Sequence, residues 1–221
     1  MTFSTLDGLR TGRLNAALGL SSDSDDSFGS TTYRNNAIKV ALAQLWPRMA
    51  RLQRETLTVV DSTFDYDLTK LREVQAIEVV GVDSSDVYER IGSWRLIVDE
   101  AADPRVPRIR FDAMPLAADA TLRLVGYAPY KSEFASGSTS SDIPPDCEWV
   151  VILGAQAELY RMKLNQRLNF QAHAVANRDT DTSVTEIVAA YQLVRREFND
   201  AVDAHPRQFI AARTDRTTRR R

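Results

Sequence analysis

The run Pro144–His205 limits the choice of fold more than any other stretch, because it is apolar on too many sides for helices that stand alone. Trp149, Leu153, Ala157, Tyr160, Leu164 and Leu168 recur at steps of three or four. Ile152, Ala155, Leu159 and Met162 widen that stripe past half the circumference, so this helix needs neighbours on several sides. Pro144 and Pro145 are placed in its first turn, where amides have no intrahelical acceptor, and Asp146 and Glu148 put negative charge at the positive end of its dipole. A second helix is expected from Ser183, which forms a capping box with Glu186, with Asp179 and Asp181 just upstream. Val184, Ile187, Val188, Tyr191, Val194, Phe198 and Val202 then follow at helical spacing. The prediction is a helical pair joined by a short polar loop.

Upstream of this pair the period changes twice. Ser4–Leu20 reads as an amphipathic helix through Leu6, Leu9, Leu14 and Leu18, and Ser21–Ser30 as a solvated loop. A helix over Thr32–Arg54 presents Ile38, Leu42, Leu45, Met49 and Leu52 on one face, and Pro47 within it predicts a kink. From Glu55 the pattern alternates. Phe64, Tyr66 and Leu68 are interleaved with Asp65 and Asp67; Trp94, Leu96 and Val98 with Arg95 and Asp99; Ile109, Phe111 and Ala113 with Arg108, Arg110 and Asp112. Together with Glu55–Asp61, the apolar run Val74–Val82, and Leu122 and Leu124 flanking Arg123, this makes six or seven short strands. One face of each is dry and the other wet, hence an antiparallel sandwich or small barrel. Lys131–Asp142 is a serine-rich return to helix. The fold class expected is therefore α+β: N-terminal helices (1–54), an inserted antiparallel β domain (55–130), a C-terminal helical pair completing the helical core (131–204), and an extended basic tail (205–221).

Charge is unevenly placed. His205–Arg221 holds six arginines against one aspartate, so a tail of about +5 follows a body of about −7 in a chain of net charge −2. With only Phe209 and Ile210 as apolar anchors, the tail cannot fold alone. Its cations are all arginine, which favours planar bidentate pairing with carboxylate or phosphate. The lone Cys147 has no disulfide partner in the chain and reads as a small buried residue, at home in a reducing cytoplasm. No apolar run is long enough to cross a bilayer, and the first ten residues lack the layout of a secretion signal.

A search for chemistry finds no catalytic, cofactor or metal site. His173 and His205 are far apart with no ligand partners at metal spacing, and neither a nucleophile elbow nor a Gly-rich phosphate loop occurs. Asp23, Asp25 and Asp26 begin like a calcium loop, but Phe28 stands where the turn glycine belongs and Arg34 where the bidentate glutamate belongs. Asn177, Asp179 and Asp181 fail at Thr182 and Val188 in the same way. Asp65 and Asp67 are expected to face water, without the apolar setting that would split their pKa values.

Ala37–Leu52 with its Trp46-Pro47 break, Ile143-Pro144-Pro145-Asp146 running into Trp149–Leu164, and a closing helix followed by an extended tail give the chain its resemblance. In these features it resembles the head-to-tail adaptor (head-completion or connector) proteins of tailed bacteriophages. The resemblance covers both helical parts and leaves the β domain aside. It implies a homo-oligomeric ring, twelvefold, in the virion neck at the portal vertex, assembled from subunits made in the host cytoplasm. It implies a portal protein above, stopper or tail proteins below, transient passage of genomic DNA through the channel, no membrane and no enzyme activity. The tail residues that match portal docking are Arg207, Gln208, Phe209, Ile210, Arg213, Arg216, Arg219, Arg220 and Arg221. Leu42, Trp46, Trp149, Leu153, Tyr160, Tyr191 and Phe198 are the candidates for subunit contacts.

Three other readings stand beside it. A stopper or tail terminator would keep the virion and change the place. A DNA-binding protein using the arginine tail would show affinity falling steeply with salt. A carbohydrate-binding β module would use Trp94, Tyr88 and Tyr127, although alternation puts Trp94 on the apolar face.

Overall fold

The computed structural model describes residues 4–25, 27–80, 87–90, 93–98, 107–113, 119–173 and 184–205. Within them the chain is α+β and divides into two compact units. Residues 4–50 and 129–205 form a helical unit, and residues 51–128 a β unit.

The helical unit begins with α1 (Leu6–Leu9), which runs through a π-helical stretch, Arg10–Leu14, into α2 (Asn15–Ala17). Thr5 caps the start, its hydroxyl accepting from the Gly8 amide at 3.0 Å. Leu6, Leu9 and Leu14 are buried as their spacing predicts, and Leu18 packs against the same core. The serine-rich return pairs with this segment. The Leu6 amide donates to the Thr139 carbonyl, Asp7 to Gly137, and Ser141 to Ser4.

Helix α3 spans Thr31–Leu45 and buries Ala37, Ile38, Ala41, Leu42 and Leu45. It does not continue to Arg54 through a kink. Trp46 is extended (φ −72°, ψ 139°), and the Trp46-Pro47 bond is cis. The α region is disfavoured for a residue before proline, and proline has no amide hydrogen to carry the helical ladder on, so the helix ends there. Met49 still reaches the helical core, but Arg51 already opens a strand, and Leu52 is exposed.

Helices α4 (Glu148–His173) and α5 (Val184–Ala204) form the expected pair and pack on each other and on α3. Pro144 and Pro145 lie in the turn before α4 rather than in its first turn, with the Cys147 amide donating to the Pro144 carbonyl at 2.9 Å. The buried face of α4 is carried by Val150, Val151, Ile152, Ala155 and Leu159. The residue that opened the predicted stripe, Trp149, is 43 % exposed. A helix apolar past half its girth leaves the sequence unable to name which side turns in. Gly154 marks where three backbones converge: a Cβ there would stand 2.8 Å from the Phe198 ring and 2.9 Å from the Ala41 methyl.

Among the described residues the β unit holds seven strands in two open antiparallel sheets. The larger runs β1 (Arg51–Thr58), β7 (Thr121–Ala128), β3 (Glu73–Val80), β4 (Val87–Arg90). The smaller runs β2 (Asp65–Asp67), β6 (Pro107–Phe111), β5 (Trp94–Val98). No closed barrel forms among the described residues. In register, Arg51 faces Ala128 and Thr58 faces Thr121, while β3 slips between Val74 and Ala76. Beside that slip, a Cβ on Gly126 would lie 2.0 Å from the Glu73 carbonyl oxygen, so only glycine lets β7 approach β3 there. Both sheets contribute to one core: Val74, Ile77, Leu122 and Leu124 from the larger, Ile109 and Phe111 from the smaller, with Val59, Leu68 and Leu71 from the connections. The alternation reads correctly here, since Ile109 and Phe111 are buried and Arg108 and Arg110 are not.

Candidate functional site

The helical unit carries apolar side chains that its own core does not cover. Tyr33 and Val40 on α3, Trp149 at the start of α4 and Leu193 on α5 are 37–48 % exposed. Between α3 and α5, over the middle of α4, runs a groove of about 210 Å³ lined by Val40, Gln44, Ala157, Glu158, Arg161, Tyr191 and Arg195. Helical spacing builds it. Val40 and Gln44 are one turn apart on α3, Tyr191 and Arg195 one turn apart on α5, and Ala157, Glu158 and Arg161 make the floor and one wall.

The charges of the groove are sorted unequally. Glu158 is buried, and Arg161 one turn on donates to both of its carboxylate oxygens. That hydrogen-bonded carboxylate holds the Arg161 guanidinium above its already high pKa. Arg195 donates to the Gln44 side-chain oxygen at 2.7 Å and lies 5.3 Å over the Phe198 ring. It has no carboxylate partner among the described residues.

At the other end of α4, Trp149 meets the His205 ring edge-on, 5.6 Å between centroids. Asp146, in the turn three residues before Trp149, is exposed and has no cationic partner among the described residues. His205 itself is tied to the Ala201 carbonyl at 2.9 Å.

The candidate interface residues separate into two groups. Leu42 and Phe198 are 0 % and 2 % exposed and are used up inside the subunit's own core, because their faces of α3 and α5 are the ones that meet α4. Trp46, Trp149, Leu153, Tyr160 and Tyr191 stay partly or largely accessible. Tyr160 is partly covered by Phe28, 5.4 Å away edge-on. Tyr191 alone of the seven lines the groove. The tail positions Arg207, Gln208, Phe209, Ile210, Arg213, Arg216, Arg219, Arg220 and Arg221 lie outside the described residues.

The acidic loop after α2 is held, not free. Arg34 is fully buried and donates to the carbonyls of Asp23 (2.6 Å) and Asp25 (2.5 Å). Arg10 donates to both Asp23 carboxylate oxygens at 3.0 and 2.9 Å, and to Asp7 and Asn35. These bonds, Arg10's first and Asn15's second, hold the Asp23 carboxyl below the usual carboxylate range. Phe28 closes the loop onto α4 beneath the Lys163 ammonium. The second acidic run, Asn177–Asp181, lies outside the described residues.

Other candidates resolve as structural. Cys147 is buried, and burial first, then the Asp146 charge, push its thiol pKa up, away from reactivity. Glu148 is fully buried and meets Arg13 at 2.8 Å, which ties the N-terminal helical segment to the start of α4. Asp65 and Asp67 do face water, each paired with an arginine across the strand, Arg110 and Arg108. Arg95 faces Asp112, and a hollow rimmed by Phe64, Arg95 and Arg110 opens on this side of the sheet. Tyr127 is buried and Trp94 packs against the β core, which removes two of the three carbohydrate-stacking candidates; the Tyr88 side chain is outside the description. Among the described residues no cluster of His, Cys, Asp and Glu could hold a metal ion, and no helix is long and apolar enough to cross a membrane.

The groove residues Val40, Gln44, Glu158, Arg161 and Arg195 are the ones sequence reading passed over. Their signal was there as pairs three or four apart, but nothing in the sequence says that three such pairs converge.

No family model matches the chain, and no curated protein matches it. Among solved structures it is similar to chains of gene transfer agent particles. One is from the neck of an empty particle computed with C6 symmetry (16 % identity, 74 % of this chain and 77 % of that one, TM-score 0.30). A second is from the virion of the native particle (17 %, 87 % and 94 %, TM-score 0.32). A third is from the neck of the native particle computed with C12 symmetry (15 %, 88 % and 94 %, TM-score 0.30). The chains it resembles are therefore neck and virion components of gene transfer agent particles.

Proposed function

We propose that this chain is a structural head-to-tail adaptor of a phage-type virion. Copies form a ring, of twelve in this reading, which docks beneath the portal through residues 207–221 and extends the DNA channel toward stopper or tail proteins. The observation that carries the reading is the uncovered apolar surface of the helical unit, with Trp149 and Leu193 the most exposed of α4 and α5. A lone subunit leaves that surface in water, and copies of itself in a ring would cover it. The arginine tail supports the same reading. Ordering it costs roughly 1–2 kcal/mol per residue in backbone entropy, so one tail binds weakly while a ring presenting many gains from effective concentration.

The test is electron microscopy of particles carrying the labelled chain, together with portal pull-down by the full chain and by a chain ending at His205. The expected result is neck density touching the portal, and loss of portal capture on truncation. Density on the tail tube with none on the portal would make it a stopper or tail terminator, and its presence elsewhere in the particle would end the proposal.

A further inference from the structure

We infer that Trp149 of one copy seats in the Val40–Tyr191 groove of the next, with Asp146 reaching Arg195 across the junction. The inference rests on the ring reading above and names the contact that would build it.

Four observations support it. The groove has the volume of a single large aromatic side chain, about 210 Å³, and its lining offers the Ala157 methyl, the Val40 branch and the Tyr191 ring. Trp149 is the largest exposed apolar side chain of the helical unit. Each partner also carries one charge left without an opposite among the described residues: Arg195 at the groove, and Asp146 in the turn three residues before Trp149. Every other cation of the groove is matched, since Arg161 is taken by Glu158. An indole with an adjacent carboxylate therefore complements a slot of mixed lining, apolar at Val40, Ala157 and Tyr191, with an adjacent guanidinium.

Geometry forbids the contact within one subunit. Both features sit on α4, eight to twelve residues apart, which is roughly 12–18 Å along a rigid helix. Their directions also differ by about a quarter to a half of a turn. Trp149 cannot fold back into its own groove, so the two surfaces meet only between copies. A patch that binds a different patch on the next copy is a head-to-tail contact, and such contacts build a ring when the rotation between successive copies closes.

The experiment uses the full-length chain in sedimentation velocity over a concentration series, beside Asp146→Arg, Arg195→Asp and the double variant. Each single reversal is expected to weaken self-association by about tenfold or more, and the double variant to recover most of it, because the pair is restored in the opposite sense. Trp149→Ala is expected to abolish association while far-ultraviolet circular dichroism stays unchanged. A second measurement does not depend on affinity. In a Cys147→Ser background, Trp149→Cys and Tyr191→Cys chains are mixed and oxidised. A disulfide between the two kinds of chain is expected, and none with Gln192→Cys, which faces away. Rings that persist with both charge reversals at wild-type affinity, or no cross-link above the Gln192→Cys control, would overturn the knob and groove while leaving the ring reading standing. A chain that stays monomeric alone and is absent from particle necks would overturn both.

Discussion

The two units solve the placement of charge in opposite ways. In the β unit the period of two sends charged residues to the wet face, where arginines on β6 meet aspartates on β2 at exposed positions. Glu55 is its one buried charged residue among those described. In the helical unit Arg10, Arg34, Glu148 and Glu158 are all buried, and each is matched by an ion pair. The difference teaches where each unit is vulnerable. A strand face can lose a surface pair with little consequence, whereas a helical core that encloses guanidinium groups depends on every partner. The helical unit also spends its core on three converging helices and still leaves Trp149 and Leu193 outside. The β unit has a remainder of its own, since Leu52, Val60, Phe64 and Leu96 are exposed.

This contrast can be broken most sharply at Phe198. Replacing it by alanine should cost about 3–5 kcal/mol, since its ring fills the junction of α3, α4 and α5 against Gly154. Denaturant unfolding of the helical unit, followed by Trp46 and Trp149, would show it. Trp94, the sole tryptophan of residues 51–128, would report an unmoved β unit. Arg34→Met comes next, at about 3 kcal/mol, because it leaves the Asp23 and Asp25 carbonyls without their donor. Amide exchange should become fast across residues 21–29 in that variant, and unchanged protection there would refute the clamp.

Within the β unit the largest charged effect should come from Glu55→Gln, about 2 kcal/mol. Burial disfavours the Glu55 carboxylate, but the Thr69 hydroxyl and the amides of Thr69, Lys70 and Leu71 outweigh it and hold its pKa below the ordinary value. A carboxyl with a lowered folded pKa stabilises fully above its unfolded value of about 4.3, and that contribution is lost as pH falls through the folded value. The wild type should therefore lose β-unit stability on acidification below about pH 4.3, and the variant should show a flatter acid limb. A pH profile of Trp94 fluorescence in denaturant decides it. The smallest effect belongs to Asp65→Asn. Its pairing with Arg110 is solvent-exposed, and the thermal midpoint should not move measurably. A clear drop would mean that the strand-face pairs matter as much as the buried ones, and the contrast between the units would fail.

Much of this architecture was legible in the residues. Alternation at Ile109 and Phe111 named the dry face of β6 correctly, because a strand has two faces and the choice between them is binary. The helical pair was legible too, as were Leu6, Leu9 and Leu14. The errors fell where several outcomes share one pattern. Helix α3 was drawn through Pro47 as a kink, whereas the residue before the proline went extended and the chain turned into a strand. Helix α4 was assigned Trp149 as an inward residue, because more than half of its circumference is apolar. The acidic loop at Asp23 carries a solvated pattern, since nothing in the sequence says that an arginine eleven residues on will enter it.

The sequence by itself determined the element types, the period of each segment, the separation of an acidic body from an arginine tail, and the failure of both calcium-like patterns. These are local properties, set by neighbours three or four residues away. Only the tertiary structure decided which side of α4 is buried, where Arg34 puts its guanidinium, and that Val40, Ala157 and Tyr191 share one groove. Those choices depend on groups from separate segments meeting in space, and a linear pattern carries no record of that meeting until the core has closed.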